Sequence, residues 1–90
     1  MQIIAGQELD IIDAKTQEYI ATVKVIGVRE WNTEYPIQCL VLEKFKANGV
    51  HFYHGDYISF NKDGYWQGKN HPQANEFDMR LVIPQKVNPQ

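Results

Sequence analysis

Short apolar runs, separated by turn-forming residues, follow one another along most of this chain. Leu9 to Ile12 is a short apolar run, and Asp13 to Thr16 is a polar turn. From Gln17 to Arg29, successive side chains fall alternately on two faces of a predicted strand, and Gly27 inside it indicates a bulge or bend. No segment keeps the 3.6-residue period of an amphipathic helix. The pattern therefore predicts strands.

The middle of the chain contains a third strand and a tight hairpin. Ile37 to Phe45 reads as one strand that starts after Pro36, with Ile37, Cys39, Val41 and Phe45 on one face. Asn48-Gly49 follows, which is the preferred pair for a turn that needs positive φ. Val50 to Tyr53 is the returning strand.

A second hairpin is predicted more strongly than any other element of the chain. Tyr57 to Phe60 is an aromatic, β-branched run, and it leads into the turn Asn61 to Gly64 and two further aromatics. Gln67 to Asp78 reads as a loop, and Met79 to Ile83 as a last strand that stops at Pro84.

Short strands at close spacing favour a small barrel or sandwich. We predict an all-β fold, either a small SH3-like barrel or a strongly bent antiparallel meander of five to six strands. We expect residues 1–85 to form a single β domain and residues 86–90 to form a disordered tail.

Composition and charge narrow the class of protein. The 43% hydrophobic content argues against disorder, and a net charge of -2 without a basic block disfavours a nucleic-acid partner. No apolar run is long enough for a membrane span, and the first six residues do not resemble a signal peptide. We therefore expect a soluble, cytoplasmic protein. The single cysteine, Cys39, reads as a small buried hydrophobe.

Residues that could carry catalysis are few. His51 and His54, with Asp56 nearby, are the one candidate metal cluster, but residues three apart on a strand point to opposite faces. Ser59 lies within a predicted strand, and the glycines are scattered as turn residues rather than gathered in a phosphate loop. We expect no catalytic residue, no metal and no cofactor.

Aromatic residues in predicted connections are the remaining signal. Together with nearby cationic side chains they could contact a ligand or partner, and the candidate binding residues are Trp31, Tyr35, Tyr65, Trp66, Lys69 and His71. Alternatively, Tyr35, Tyr65 and Trp66 plug the ends of a small barrel. Trp31, between Glu30 and Asn32, is the best candidate for an exposed aromatic.

Apolar side chains also fall on the faces opposite the expected core. They are Ile20, Ile26, Leu40 and Leu42. If they are exposed, they form the kind of patch that marks an interface, so we predict a homodimer or small oligomer.

Several of these features together resemble a group of small proteins, mostly uncharacterised, of tailed phages and prophages. The resemblance covers about residues 20 to 83 and rests on Tyr35-Pro36-Ile37, the Asn48-Gly49 turn, Phe60, the block Lys62 to Trp66 and the strand Leu81-Val82. The chain departs from that pattern at Val50 to His54 and in its longer loop around Asn70 to Asn75. The resemblance implies a small β-barrel without known catalytic residues.

What the resemblance implies for function is binding rather than catalysis. We expect a non-enzymatic protein that sequesters or inhibits a host component, either a defence or regulatory protein or a small nucleotide signal. Two alternatives stay open at this point: a small metal-assisted nucleotide hydrolase using His51, His54 and Asp56, and a nucleic-acid-binding β module.

Overall fold

The computed structural model describes residues 3–29, 31, 34–47, 49–66 and 79–84 of the chain. Seven strands lie in this part, and it contains no helix. In chain order they are β1 (Glu8–Asp13), β2 (Tyr19–Val28), β3 (Ile37–Val41), β4 (Phe45–Ala47), β5 (Val50–Phe52), β6 (Tyr57–Phe60) and β7 (Met79–Leu81).

Five strands form one antiparallel sheet in the order β6-β3-β2-β1-β7, and β4 and β5 form a separate hairpin. The large sheet is strongly curled, which confirms the all-β class and the bent antiparallel architecture. The disordered tail predicted for residues 86–90 lies outside the described residues.

The prediction of a single strand from Ile37 to Phe45 was wrong, because β3 ends at Val41 and β4 begins at Phe45. Val41 is the last residue of β3, and its backbone bonds to the turn that precedes β6. Its N–H donates to the carbonyl oxygen of Asp56 over 2.8 Å, and Gly55 N–H donates to the Val41 carbonyl over 2.9 Å. Leu42 to Lys44 become a short connection, and Phe45 starts a new strand.

Two predicted local features are confirmed in the first half of the sheet. The register between β2 and β3 shifts between Val25 and Gly27, which is the bulge expected at this glycine. The polar turn after β1 is held by Asp13, whose carboxylate accepts hydrogen bonds from the backbone N–H groups of Lys15 (2.8 Å) and Thr16 (3.0 Å). These bonds lower the pKa of the Asp13 carboxyl, the Thr16 N–H contributing most.

The core lies on the concave face of the curled sheet. Neighbouring strands contribute directly paired residues to it, for example Val25 on β2, Cys39 on β3 and Ile58 on β6. Cys39 is fully buried, as predicted, and desolvation raises the pKa of its thiol to about 12.

The segment Gly64 to Trp66 connects the two edge strands of the sheet. On one side Trp66 pairs with Phe60 of β6, and on the other Tyr65 pairs with Arg80 of β7. The N–H of Leu81 donates to the Gly64 carbonyl over 2.7 Å, and the N–H of Trp66 donates to the Met79 carbonyl over 3.0 Å. This segment therefore joins β6 to β7 and draws the curled sheet together.

Candidate functional site

Trp31 is the most exposed large apolar side chain among the described residues, with 79% of its surface accessible. It lies in the connection between β2 and β3. The two ends of this connection are fixed, since Val28 pairs with Ile37 and the N–H of Arg29 donates to the Pro36 carbonyl over 2.6 Å. The exposure that the sequence predicted for Trp31 is confirmed, on a connection that starts at β2 and ends at β3.

Tyr35 lies at the other end of the same connection and is half-buried. It makes an interaction of its own within the molecule. Because Ile37 also pairs with Phe60, the Trp31 connection and the Asn61–Gly64 turn leave the sheet at neighbouring positions.

Trp66 belongs to the core, in agreement with the alternative in which it plugs the barrel. This corrects its prediction as a binding residue at the surface. Only 7% of the side chain is exposed. Its ring meets Phe52 edge to face at 5.4 Å between centroids, and Phe52 stacks on Phe45 at 4.7 Å. Trp66 therefore fastens the β4–β5 hairpin to the sheet, since aromatic pairs of these geometries add to the apolar burial.

Tyr65, the neighbour of Trp66, takes a different position. It is half-buried, and the guanidinium of Arg80 lies over its ring at 5.6 Å from the centroid. Both side chains line a cavity of about 240 Å³ together with Gln17 from the β1–β2 turn. The sequence does not predict the position of Arg80, because no local pattern shows that β7 pairs with β1 and with Tyr65.

Lys69 and His71, the last two predicted binding residues, lie outside the described residues, so their roles stay predictions. Of the candidate set the structure therefore brings Tyr65 to a cavity, places Trp66 in the core and leaves Trp31 on the surface.

The candidate metal cluster is not assembled as a coordination site. His51 and His54 are both exposed, and His51 stacks on Tyr53 with 6.3 Å between centroids. The Asp56 carboxylate accepts a hydrogen bond from the Tyr53 N–H at 2.8 Å, which is a turn contact. Within the described residues no three histidine, cysteine or acidic side chains are grouped as metal ligands.

The apolar residues expected on the outer face are half-buried rather than exposed. This holds for Ile20, Ile26, Leu40 and Leu42, and Ile20 packs against the core. Tyr57, which pairs directly with Leu40, is 67% exposed and was not predicted as a surface aromatic. The predicted homodimer or small oligomer stays a prediction.

The sequence did not predict a row of hydrogen-bonded polar side chains on the outer surface. The hydroxyls of Tyr19 and Thr22 lie 2.8 Å apart, and Thr22 donates to the Asp10 carboxylate over 2.9 Å. The register of β1 and β2 places Thr22 directly opposite Asp10, which only the structure reveals.

Comparison of the chain with protein-family models, with curated proteins and with solved structures gives no match. In the part of the chain that the structure describes, no helix is long and apolar enough to cross a membrane.

Proposed function

We propose that this chain is a non-enzymatic binding protein of phage or prophage origin that acts in the host cytoplasm. It captures a host protein and thereby sequesters or inhibits it, and Trp31 is the anchor of the contact. The observation that carries the proposal is the exposure of Trp31 on a connection whose ends are fixed to the sheet. The phage origin rests on the sequence resemblance alone.

The energetics favour an exposed tryptophan as an anchor. An aromatic side chain buries about 150–250 Å² in an interface, which at ~25 cal/mol per Å² is a gross gain of roughly 4–6 kcal/mol. Association and ordering costs reduce that gain. Tryptophan is enriched among the residues that dominate binding energy.

Affinity capture tests the proposal. We would immobilise the wild-type chain and Trp31→Ala, expose both to bacterial lysate and quantify the retained proteins by mass spectrometry. Tyr53→Ala is the matched control, because Tyr53 is also an exposed aromatic outside the strands. We expect a specific protein on the wild type and on Tyr53→Ala that is depleted at least about fivefold on Trp31→Ala.

Equal retention by wild type and Trp31→Ala would reject Trp31 as the anchor. The hydrolase alternative has its own test: nucleotide turnover that is lost on His51→Ala or His54→Ala, together with stoichiometric metal in the purified protein, would replace the binding proposal.

A further inference from the structure

An open cavity of about 440 Å³ lies along the β4–β5 hairpin. Its volume falls within the roughly 300–1,000 Å³ that small-molecule sites occupy. The described residues that line it come from the two strands and the positions next to them: Lys44, Phe45, Lys46, His51, Phe52 and Tyr53. The contact between Phe52 and Trp66 marks the side of the hairpin that faces the core, and Trp66 does not line the cavity. The cavity therefore lies on the side that faces solvent.

Three exposed side chains share this solvent-facing side of the hairpin. Lys46 pairs directly with His51 across the two strands, so their side chains project from the same side. The ring of Tyr53 lies beside that of His51, with 6.3 Å between centroids and 14° between planes. All three side chains are exposed, Tyr53 to 56%, whereas Phe45 and Phe52 pack against the core. The hairpin thus presents two nearly parallel rings beside a cation, within reach of a ligand.

The charge of this cavity differs in sign from that of the whole chain. Two exposed lysines, Lys44 and Lys46, line it, while the net charge of the chain is -2. Glu43 and Asp56, the acidic residues closest in sequence, do not line it, and the Asp56 carboxylate accepts the Tyr53 N–H. A local group of cations on a chain of net negative charge attracts a small anion to this place.

We propose that this cavity binds a free nucleotide. The base stacks against the rings of His51 and Tyr53, and the phosphates contact the ammonium groups of Lys44 and Lys46. Every nucleobase has a π face that stacks on aromatic side chains, and lysine neutralises phosphate as a point charge. A flat ring joined to a phosphate therefore matches both halves of the cavity.

The size of this surface favours a single nucleotide over a strand of nucleic acid. Proteins that bind single strands carry cations along a groove that follows the phosphate backbone. Here the two lysines belong to one hairpin with strands of three residues each, on a chain of net negative charge. The cavity shares no described residue with the Trp31 connection, so the proposal does not depend on the capture of a host protein.

Nuclear magnetic resonance tests the site with adenosine diphosphate as the probe. The ¹⁵N-labelled chain would be titrated at millimolar concentrations with adenosine diphosphate, with adenosine, which lacks the charge, and with pyrophosphate, which lacks the base. We expect saturable shifts of the backbone amides of Lys46, His51 and Tyr53 with adenosine diphosphate, and binding at least about fivefold weaker with either half. Absence of a saturable shift with adenosine diphosphate overturns the proposal. Binding of either half as tight as that of the whole overturns it as well.

A short thymidine oligonucleotide tests the choice of occupant. We expect it to bind no more tightly than adenosine diphosphate at equal salt concentration, because the cations do not continue beyond the hairpin. A much tighter oligonucleotide complex would show that a single strand is the occupant and would overturn the proposal of a free nucleotide.

Variants with matched controls separate the site from general attraction of anions. Tyr53→Ala should weaken adenosine diphosphate binding at least about fivefold, and Lys46→Gln at least about threefold. Tyr57→Ala and Lys62→Gln are the controls, because both residues are exposed and neither lines the cavity; their binding should equal that of wild type. All four positions are exposed, so the variants should keep the wild-type fold, which the same spectra report. Wild-type affinity in Tyr53→Ala or Lys46→Gln overturns the assignment of the site.

Discussion

Gly64 packs closely against β7, and replacing it by alanine tests the contact that joins the turn to this strand. Its φ is +92°, and a Cβ built on it would lie 2.8 Å from the carbonyl oxygen of Leu81 and 3.3 Å from Cδ1 of Ile83. The first of these neighbours is backbone, which cannot rotate away. The Gly64 carbonyl also accepts the Leu81 N–H at 2.7 Å, so a displacement of the turn strains this bond too.

The expected cost has two parts. A non-glycine residue at positive φ costs about 1–2 kcal/mol, and weakening one backbone hydrogen bond costs about 0.5–1.5 kcal/mol. Gly64→Ala should therefore lower the free energy of unfolding by about 1.5–3.5 kcal/mol. For a domain of this size that corresponds to a melting temperature lower by roughly 6–28 °C.

Gly55→Ala is the matched control, because Gly55 has the same φ of +92° but nothing within 4 Å of the added Cβ. Its free energy of unfolding should fall only by the cost of the backbone strain, about 1–2 kcal/mol. Urea unfolding of the three proteins at one temperature measures the difference. Equal losses for Gly64→Ala and Gly55→Ala would refute the close approach of Gly64 to β7.

Three further predictions test the remaining structure. Trp66→Ala removes the ring that fastens the β4–β5 hairpin and should lower the free energy of unfolding, measured in urea, by about 3–5 kcal/mol. Trp31→Ala should stay within about 0.5 kcal/mol of wild type. Similar losses for the two variants would contradict the different burial of the two side chains. Gln17 has φ +65°, so Gln17→Gly should be neutral or stabilising by up to about 1 kcal/mol, while Lys15→Gly, at negative φ in the same turn, should destabilise. Cys39 should react with a thiol reagent only after unfolding. The pKa of its thiol is about 12 in the folded protein, above the ordinary value of 9.0. The stability that the neutral, buried thiol contributes is therefore full below pH 9.0 and is lost as the pH rises toward 12. Melting curves of wild type and Cys39→Ala across that pH range should converge or cross, and parallel curves would contradict the raised pKa.

The local elements of this fold were predictable because short-range chemistry specifies them. The Gly27 bulge, the Asp13 turn and the hairpin turn at Gly49 each follow from one or two residues with special backbone preferences. Alternating burial on β2 follows from the period of two along a strand. The end of β3 at Val41 was missed because the apolar pattern continues to Phe45, while strand pairing with β6 is set by residues distant in sequence.

The candidate site was predictable only in part, for the same reason. Trp31 could be placed on the surface because its neighbours in sequence are polar. Tyr65 and Trp66 have equivalent local sequence, and what separates them is pairing with β7 on one side and contact with Phe52 on the other. The cavity beside Arg80 is lined by residues from three distant segments, so no local sequence pattern predicts it.

The central claim is that Trp31 anchors a partner protein without supporting the fold. Calorimetric titration of the host protein captured by the wild-type chain, repeated with Trp31→Ala and Tyr53→Ala, measures it most directly. We predict that Trp31→Ala loses about 1–3 kcal/mol of binding free energy, roughly a five- to 150-fold weaker affinity, with an unchanged melting temperature. Equal affinity for wild type and Trp31→Ala, or loss of stability in that variant in place of loss of binding, would contradict the claim.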